Sequence, residues 1–232
     1  MKKYKKLKFF CFKKKWIFVA IISVCLILFG CFLPRAIAST TPKSKYTIVV
    51  DAGHGGIDGG AIGKTSGISE SVLNLNYANC LKEYLQDFGF NVVMTRTTEN
   101  GLYSPLAKNK KKDDMKKRRE IVENSNADFV VSIHMNSFSY KSKGAQVFYG
   151  AEDVPSQNLA NSIQKYFIKY LQDAKQETKV GDYYILNAIK VPSVLVECGY
   201  LSNPDEEKLL LNEDYKKEVC YSILLGILSF LN

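Results

Sequence analysis

Histidine is nearly missing from this chain. Among 232 residues there are two, His54 and His134. That excludes a histidine-rich metal store and a pH switch built from a histidine cluster. Paired cysteines are missing too. Six cysteines occur, but no two stand in a C-x-x-C spacing. Cys11, Cys25 and Cys31 belong to the leader, which leaves Cys80, Cys198 and Cys220, an odd set. Neither a disulfide framework nor a cysteine zinc site follows, and these three read as small buried hydrophobes. Acid is absent from residues 1–38, which hold nine of the 32 basic residues. The remainder carries 23 basic and 23 acidic residues, so the formal charge of +9 belongs to the leader. The charge argument for a nucleic-acid partner disappears with it, and none is expected. No internal repeat is present.

Each of the two histidines ends an apolar run. Tyr46-Thr47-Ile48-Val49-Val50-Asp51 leads into Ala52-Gly53-His54-Gly55-Gly56, and Phe129-Val130-Val131-Ser132-Ile133 leads into His134-Met135-Asn136. Short β-branched runs closed by Gly or polar residues read as buried strands. In an α/β sheet, ligands bind beyond the carboxyl ends of the strands. The histidines therefore read as members of one site.

The leader divides from the body. Residues 1–15 are a basic segment, expected on the cytoplasmic side. Trp16 to Leu33 is 18 residues without a charge, the short end of a membrane span, so residues 16–34 are expected to form an anchor or a signal segment. Three fates compete, in this order: retention as an anchor, cleavage after Ala36-Ile37-Ala38, and lipoprotein processing at Cys31. Residues 35–44 read as a linker and 45–232 as the catalytic domain, placed outside the cytoplasm.

Within the body, strands alternate with helices. A helix is expected from Ser69-Glu70, with Tyr77, Ala78, Leu81, Tyr84, Leu85 and Phe88 on its stripe and Gly89 ending it. A strand covers Asn91 to Thr95, a polar loop with Lys108, Lys110, Lys111 and Lys112 runs from Arg96 to Asp114, and a helix covers roughly Met115 to Asn124. After the His134 strand come a strand over Lys143–Tyr149, a helix capped by Ser156, a strand over Ser193–Gly199, and a short helix with Pro204 at N1 and an Asn203/Glu206 capping box. A last helix spans about Asp214 to Leu231. The pattern predicts one α/β domain, a mostly parallel twisted sheet with helices on both faces. Gly63-Lys64-Thr65 mimics a phosphate loop, but Asp58 stands where that motif needs glycine, so a nucleotide site is rejected.

Two histidines are one ligand short of a catalytic zinc site. Glu70, in the first turn of the helix after the His54 loop, is the candidate third; its competing role is an acid favoured by the helix dipole. Glu197 ends an otherwise apolar strand, where a carboxylate is costly unless used, and suits a general base. A Cys198–His134 pair is disfavoured, because alternation along the strand turns Cys198 away if Glu197 faces the site.

Taken together, Asp51-Ala52-Gly53-His54-Gly55-Gly56, Glu70, Ser132-Ile133-His134-Met135-Asn136 and Val196-Glu197-Cys198-Gly199-Tyr200-Leu201-Ser202-Asn203 resemble the zinc-dependent N-acetylmuramoyl-L-alanine amidases from about Tyr46 to the C-terminus. The chain departs from that pattern at Ala52, where proline is usual, and at Tyr200, where phenylalanine is usual; neither change removes a ligand. The resemblance implies zinc held by His54, Glu70 and His134, catalysis by Glu197, and peptidoglycan with its stem peptides as substrate. Asn136 is a candidate substrate contact. The membrane leader, Gly144-Ala145-Gln146 and Leu201-Ser202-Asn203-Pro204 resemble the sporulation branch of that family, which implies cortex modification leading to muramic-δ-lactam. The stretch between His134 and Glu197 leaves no room for an inhibitory helix, so control by an accessory protein is expected. A zinc peptidase acting on stem peptides and a non-catalytic wall-binding module are the rival readings.

Overall fold

In the computed structural model, residues 21–23 and 45–232 are described. The basic segment, most of the membrane or signal segment and the whole of the linker lie outside them. Among the described residues no helix is long and apolar enough to cross a membrane.

Six strands form one sheet: β1 (Thr47–Ala52), β2 (Asn91–Met94), β3 (Phe129–Asn136), β4 (Gln146–Tyr149), β5 (Lys179–Val180) and β6 (Ser193–Tyr200), in the order β2-β1-β3-β6-β4-β5. All neighbours are parallel except β4 against β6. Helices α1 (Glu70–Asp87), α3 (Val154–Tyr170) and α6 (Glu213–Leu231) join the core on one face; α2 (Lys110–Asn124) and the short α4 (Tyr184–Asn187) join the core on the other. A seven-residue α5 (Pro204–Leu210) follows β6. The two-residue period of a strand divides the apolar side chains between these cores. Ile48, Val50, Val131, Ile133, Val194 and Val196 pack under α1, α3 and α6, whereas Val49, Val130 and Leu195 pack under α2 and α4.

The chain leaves β1, returns in β2 on one side, and then crosses to β3 on the other. β1 and β3 thus flank a switch point, where the two crossovers diverge and leave a crevice at the strand ends. The register sets His134 of β3 beside Glu197 of β6.

Several boundaries differ from the sequence pattern. α2 starts at Lys110, not near Met115, because the Asn109 side chain accepts the Lys112 amide at 2.9 Å and caps the helix. Most of the lysine run is therefore helical. Asp153, not Ser156, caps α3; the Ser156 hydroxyl instead accepts the Ser193 amide at 2.7 Å and ties the helix to β6. Phe88 is exposed at the end of α1. Asn203 caps α5 as expected, but the Glu206 carboxylate accepts the amides of Gly144 and Tyr200 rather than reaching back. β5 and α4 carry too few residues to leave a periodic signal. In the loop that mimics a phosphate site, the amides of Thr65 and Ser66 are filled by the chain's own Glu207 at 2.8 and 2.7 Å.

Candidate metal centre

The site is built from the loop after β1, the first turn of α1, and the carboxyl ends of β3 and β6. His54 lies two residues beyond β1 with φ of 59°, a left-handed conformation that costs a non-glycine residue about 1 kcal/mol or more. Glu70 is the first residue of α1 and is buried. Its Oε1 lies 3.2 Å from Nε2 of His54 and 2.9 Å from Nδ1 of His134. One potential ligand atom from each of the three residues falls within 4.8 Å of the others. Two imidazoles and a carboxylate on converging elements are a donor set that suits zinc.

The loop glycines permit this convergence. A Cβ on Gly53 would stand 2.1 Å from Nε2 of His134, and one on Gly60 would stand 2.4 Å from Oε2 of Glu70. Backbone must come this close for His134 and Glu70 to meet. Glu70 is also held from below: the Ala61 amide donates to its Oε2 at 2.8 Å, and Asn74 Nδ2 donates to its Oε1 at 3.2 Å and to the Gly53 carbonyl at 3.1 Å.

Two buried arginines hold the His54 turn itself. Arg118 donates to Asp51 Oδ1 at 2.6 Å, to the Ala52 carbonyl at 2.7 Å, to the His54 carbonyl at 2.5 Å and to Asp114 Oδ2 at 2.6 Å. Arg96 donates to the carbonyls of Ala52, Gly53 and Ser71 at 2.8, 2.9 and 2.8 Å. Asp51 completes the arrangement by accepting hydroxyl protons from Thr95 and Ser132. Sequence reasoning missed both arginines. Arg118 is one cation in a charged run, and Arg96 follows a short strand, so nothing local marks either as buried.

Electrostatics separate the two glutamates. Burial pushes both carboxyls up. For Glu70 the hydrogen bonds and charges of His134 and His54 outweigh burial and hold it well below the ordinary range. Glu197 has no such partner; burial, aided by the charge of Glu70, raises it well above the ordinary value. Its Oε2 is buried with no hydrogen-bond partner. Burial lowers His54, but Glu70 and then Asp58 raise it further than that. His54 Nδ1 is 2.9 Å from Asp58 yet out of hydrogen-bond alignment.

His54, Glu70, His134, Asn136 and Glu197 all line one cleft of about 780 Å³. Cys198 points into the core on the opposite side of the sheet, and burial raises its thiol well above the ordinary value. No nucleophilic Cys–His pair is formed. The stretch between β3 and β6 holds β5 and α4 besides one strand and one helix, and α4 contributes Tyr184 and Ile185 to the cleft wall.

The family described as N-acetylmuramoyl-L-alanine amidase matches residues 48–229. The germination-specific N-acetylmuramoyl-L-alanine amidase of Bacillus subtilis is 34% identical over 194 residues, covering 82% of this chain and 81% of that protein. The CwlD amidase of Clostridioides difficile, solved in complex with the GerS lipoprotein, is similar with a TM-score of 0.77 and 38% identity, over 81% of this chain and 98% of that one. The catalytic domain of CwlV, an amidase of the same kind from Bacillus (Paenibacillus) polymyxa var. colistinus, gives a TM-score of 0.71 and 32% identity over 80% of this chain and 98% of that one.

Proposed function

This chain belongs to the N-acetylmuramoyl-L-alanine amidase family, and on that premise we propose that it uses zinc, held by His54, Glu70 and His134, to cut the amide between the lactyl group of N-acetylmuramic acid and L-alanine. The observation that supports this most is the buried, unpartnered Glu197 carboxylate directly across from His134. A buried carboxylate without a partner is costly, and its raised affinity for protons is what a general base needs near neutral pH.

When bound, the ion supplies Lewis acidity and lowers the pKa of water. Glu197 takes the proton of the attacking water and then delivers it to the leaving amine of alanine. His54, Glu70 and His134 are the residues that would hold the ion. Asn136, at the end of β3 on the cleft wall, donates a hydrogen bond to the substrate. The biological role proposed is modification of spore cortex on the way to muramic-δ-lactam, on the outer side of the membrane. It is supported by likeness to a germination-specific amidase. The GerS complex of the similar CwlD amidase supports an accessory protein as the source of control.

The test is zinc content and product analysis on the full chain with peptidoglycan. Wild type should hold one zinc and release peptides with a new N-terminal alanine. His54→Ala should lose the metal. Glu197→Gln should keep it and lose about 10²- to 10⁴-fold in kcat. Cuts within the stem peptide would identify a peptidase instead. Unchanged kinetics in Asn136→Ala would remove that residue from the site.

A further inference from the structure

The cleft does not end at the histidines. At Lys111, Met115 and Tyr184 it runs into a second groove of about 770 Å³ along one face of α2. Lys108, Lys112 and Lys116 line this groove at intervals of four residues, with Lys111 and Arg119 beside them. Three of these cations are partly answered: Lys111 by Asp58 at 3.4 Å, Lys116 by Glu120 at 3.4 Å and Arg119 by Glu123 at 2.7 Å. Among the described residues neither Lys108 nor Lys112 has an ion pair. Like charges four apart destabilise a helix, and the positive end of the α2 dipole lies at the same place. Asp113 also lines the groove, but its carboxylate is engaged by Lys117 at 3.5 Å. The groove is thus a concave surface of net positive charge, carried by Lys108 and Lys112, open to the reacting centre.

We infer that this groove receives the free carboxylates of the stem peptide on the leaving-amine side of the scissile amide. The inference rests on the amidase reading and adds the direction in which the substrate lies. The lactyl carboxyl of muramic acid is consumed in the amide that is cut, so the glycan offers no carboxylate to the lysines. The stem peptide keeps its own. Charge complementarity therefore runs the peptide from the histidines past Met115 and Tyr184 towards Lys112, and leaves the other end of the cleft for the sugar.

The experiment compares two muramoyl-peptide substrates, one with free peptide carboxylates and one with those groups converted to carboxamides, on the full-length protein and on K108Q/K112Q/K116Q. All three changes are at exposed positions, so the fold should survive; circular dichroism checks this, and the single variant Lys112→Glu provides a second probe. Wild type should prefer the acid substrate by about tenfold in kcat/KM at low salt, as expected for two or three exposed ion pairs, and added salt should erase the preference. In the triple variant the acid-over-amide ratio should fall to about one, and Lys112→Glu should lower it as well. A wild type active on both substrates without preference overturns the groove assignment alone. So does a preference that survives the triple variant. Inhibition of wild type but not of the variant by poly(glycerol phosphate), with no acid preference, would reassign the groove to an anionic wall polymer and overturn it too. A wild type that turns over neither substrate, even with cell extract added to supply the accessory protein, refutes the amidase reading, and this inference falls with it.

Discussion

Replacing Arg118 by Met would remove the one cation that, among the described residues, forms an ion pair with Asp51, while keeping the length of the side chain. Arg118 and Asp51 are 1% and 2% exposed. Removing one partner of such a pair leaves a buried charge uncompensated and costs about 3–5 kcal/mol. In a domain of this size that is a fall in Tm of roughly 6–20 °C. The pH dependence gives a sharper signature. Burial alone pushes the Asp51 carboxyl up, but Arg118 and the hydroxyls of Ser132 and Thr95 hold it at about 2, below its ordinary 3.8. In the wild type, this group therefore adds stability that is present above 3.8 and lost as pH falls towards 2. Without Arg118 burial prevails, the carboxyl moves above 3.8, and the sign reverses: stability is lost as pH rises. Thermal unfolding by circular dichroism, scanned from about pH 4 to pH 8, should show a penalty that shrinks steadily towards acid. A Tm loss below about 3 °C at pH 7, or a penalty independent of pH, would refute the coupling between these two groups.

Two further outcomes follow from contacts at the site. Gly53→Ala puts a methyl carbon where His134 stands; zinc affinity, titrated against a chelating dye, should fall by at least about tenfold while the far-ultraviolet spectrum is retained. In metal-free protein, Glu197→Gln should raise Tm at pH 8, by the equivalent of about 1 kcal/mol, because it removes a buried carboxylate that has no partner. The raised Glu197 proton affinity means that the wild type loses stability as pH climbs above the ordinary carboxylate value of 4.5, so the gain should vanish below that pH.

The sequence by itself determined most of the central sheet and which polar residues converge on one cleft. Long apolar runs ending at His54, His134 and Glu197 mark buried parallel strands by composition alone, and the order of strands and helices specifies a sheet covered on both faces. The glycines around His54 are legible for the same local reason, since side-chain-free backbone signals a close approach. What the tertiary structure decided is what local pattern does not carry. β5 and α4 are too short for periodicity. The start of α2 depends on one capping side chain. The burial of Arg96 and Arg118 depends on carbonyls and carboxylates brought together from β1, the His54 turn, the start of α1 and α2, positions up to 67 residues apart in the chain. The same is true of the groove: its lysines read as a solvated loop in one dimension, and only the docking of α2 beside the end of β1 sets them along a groove that opens into the cleft.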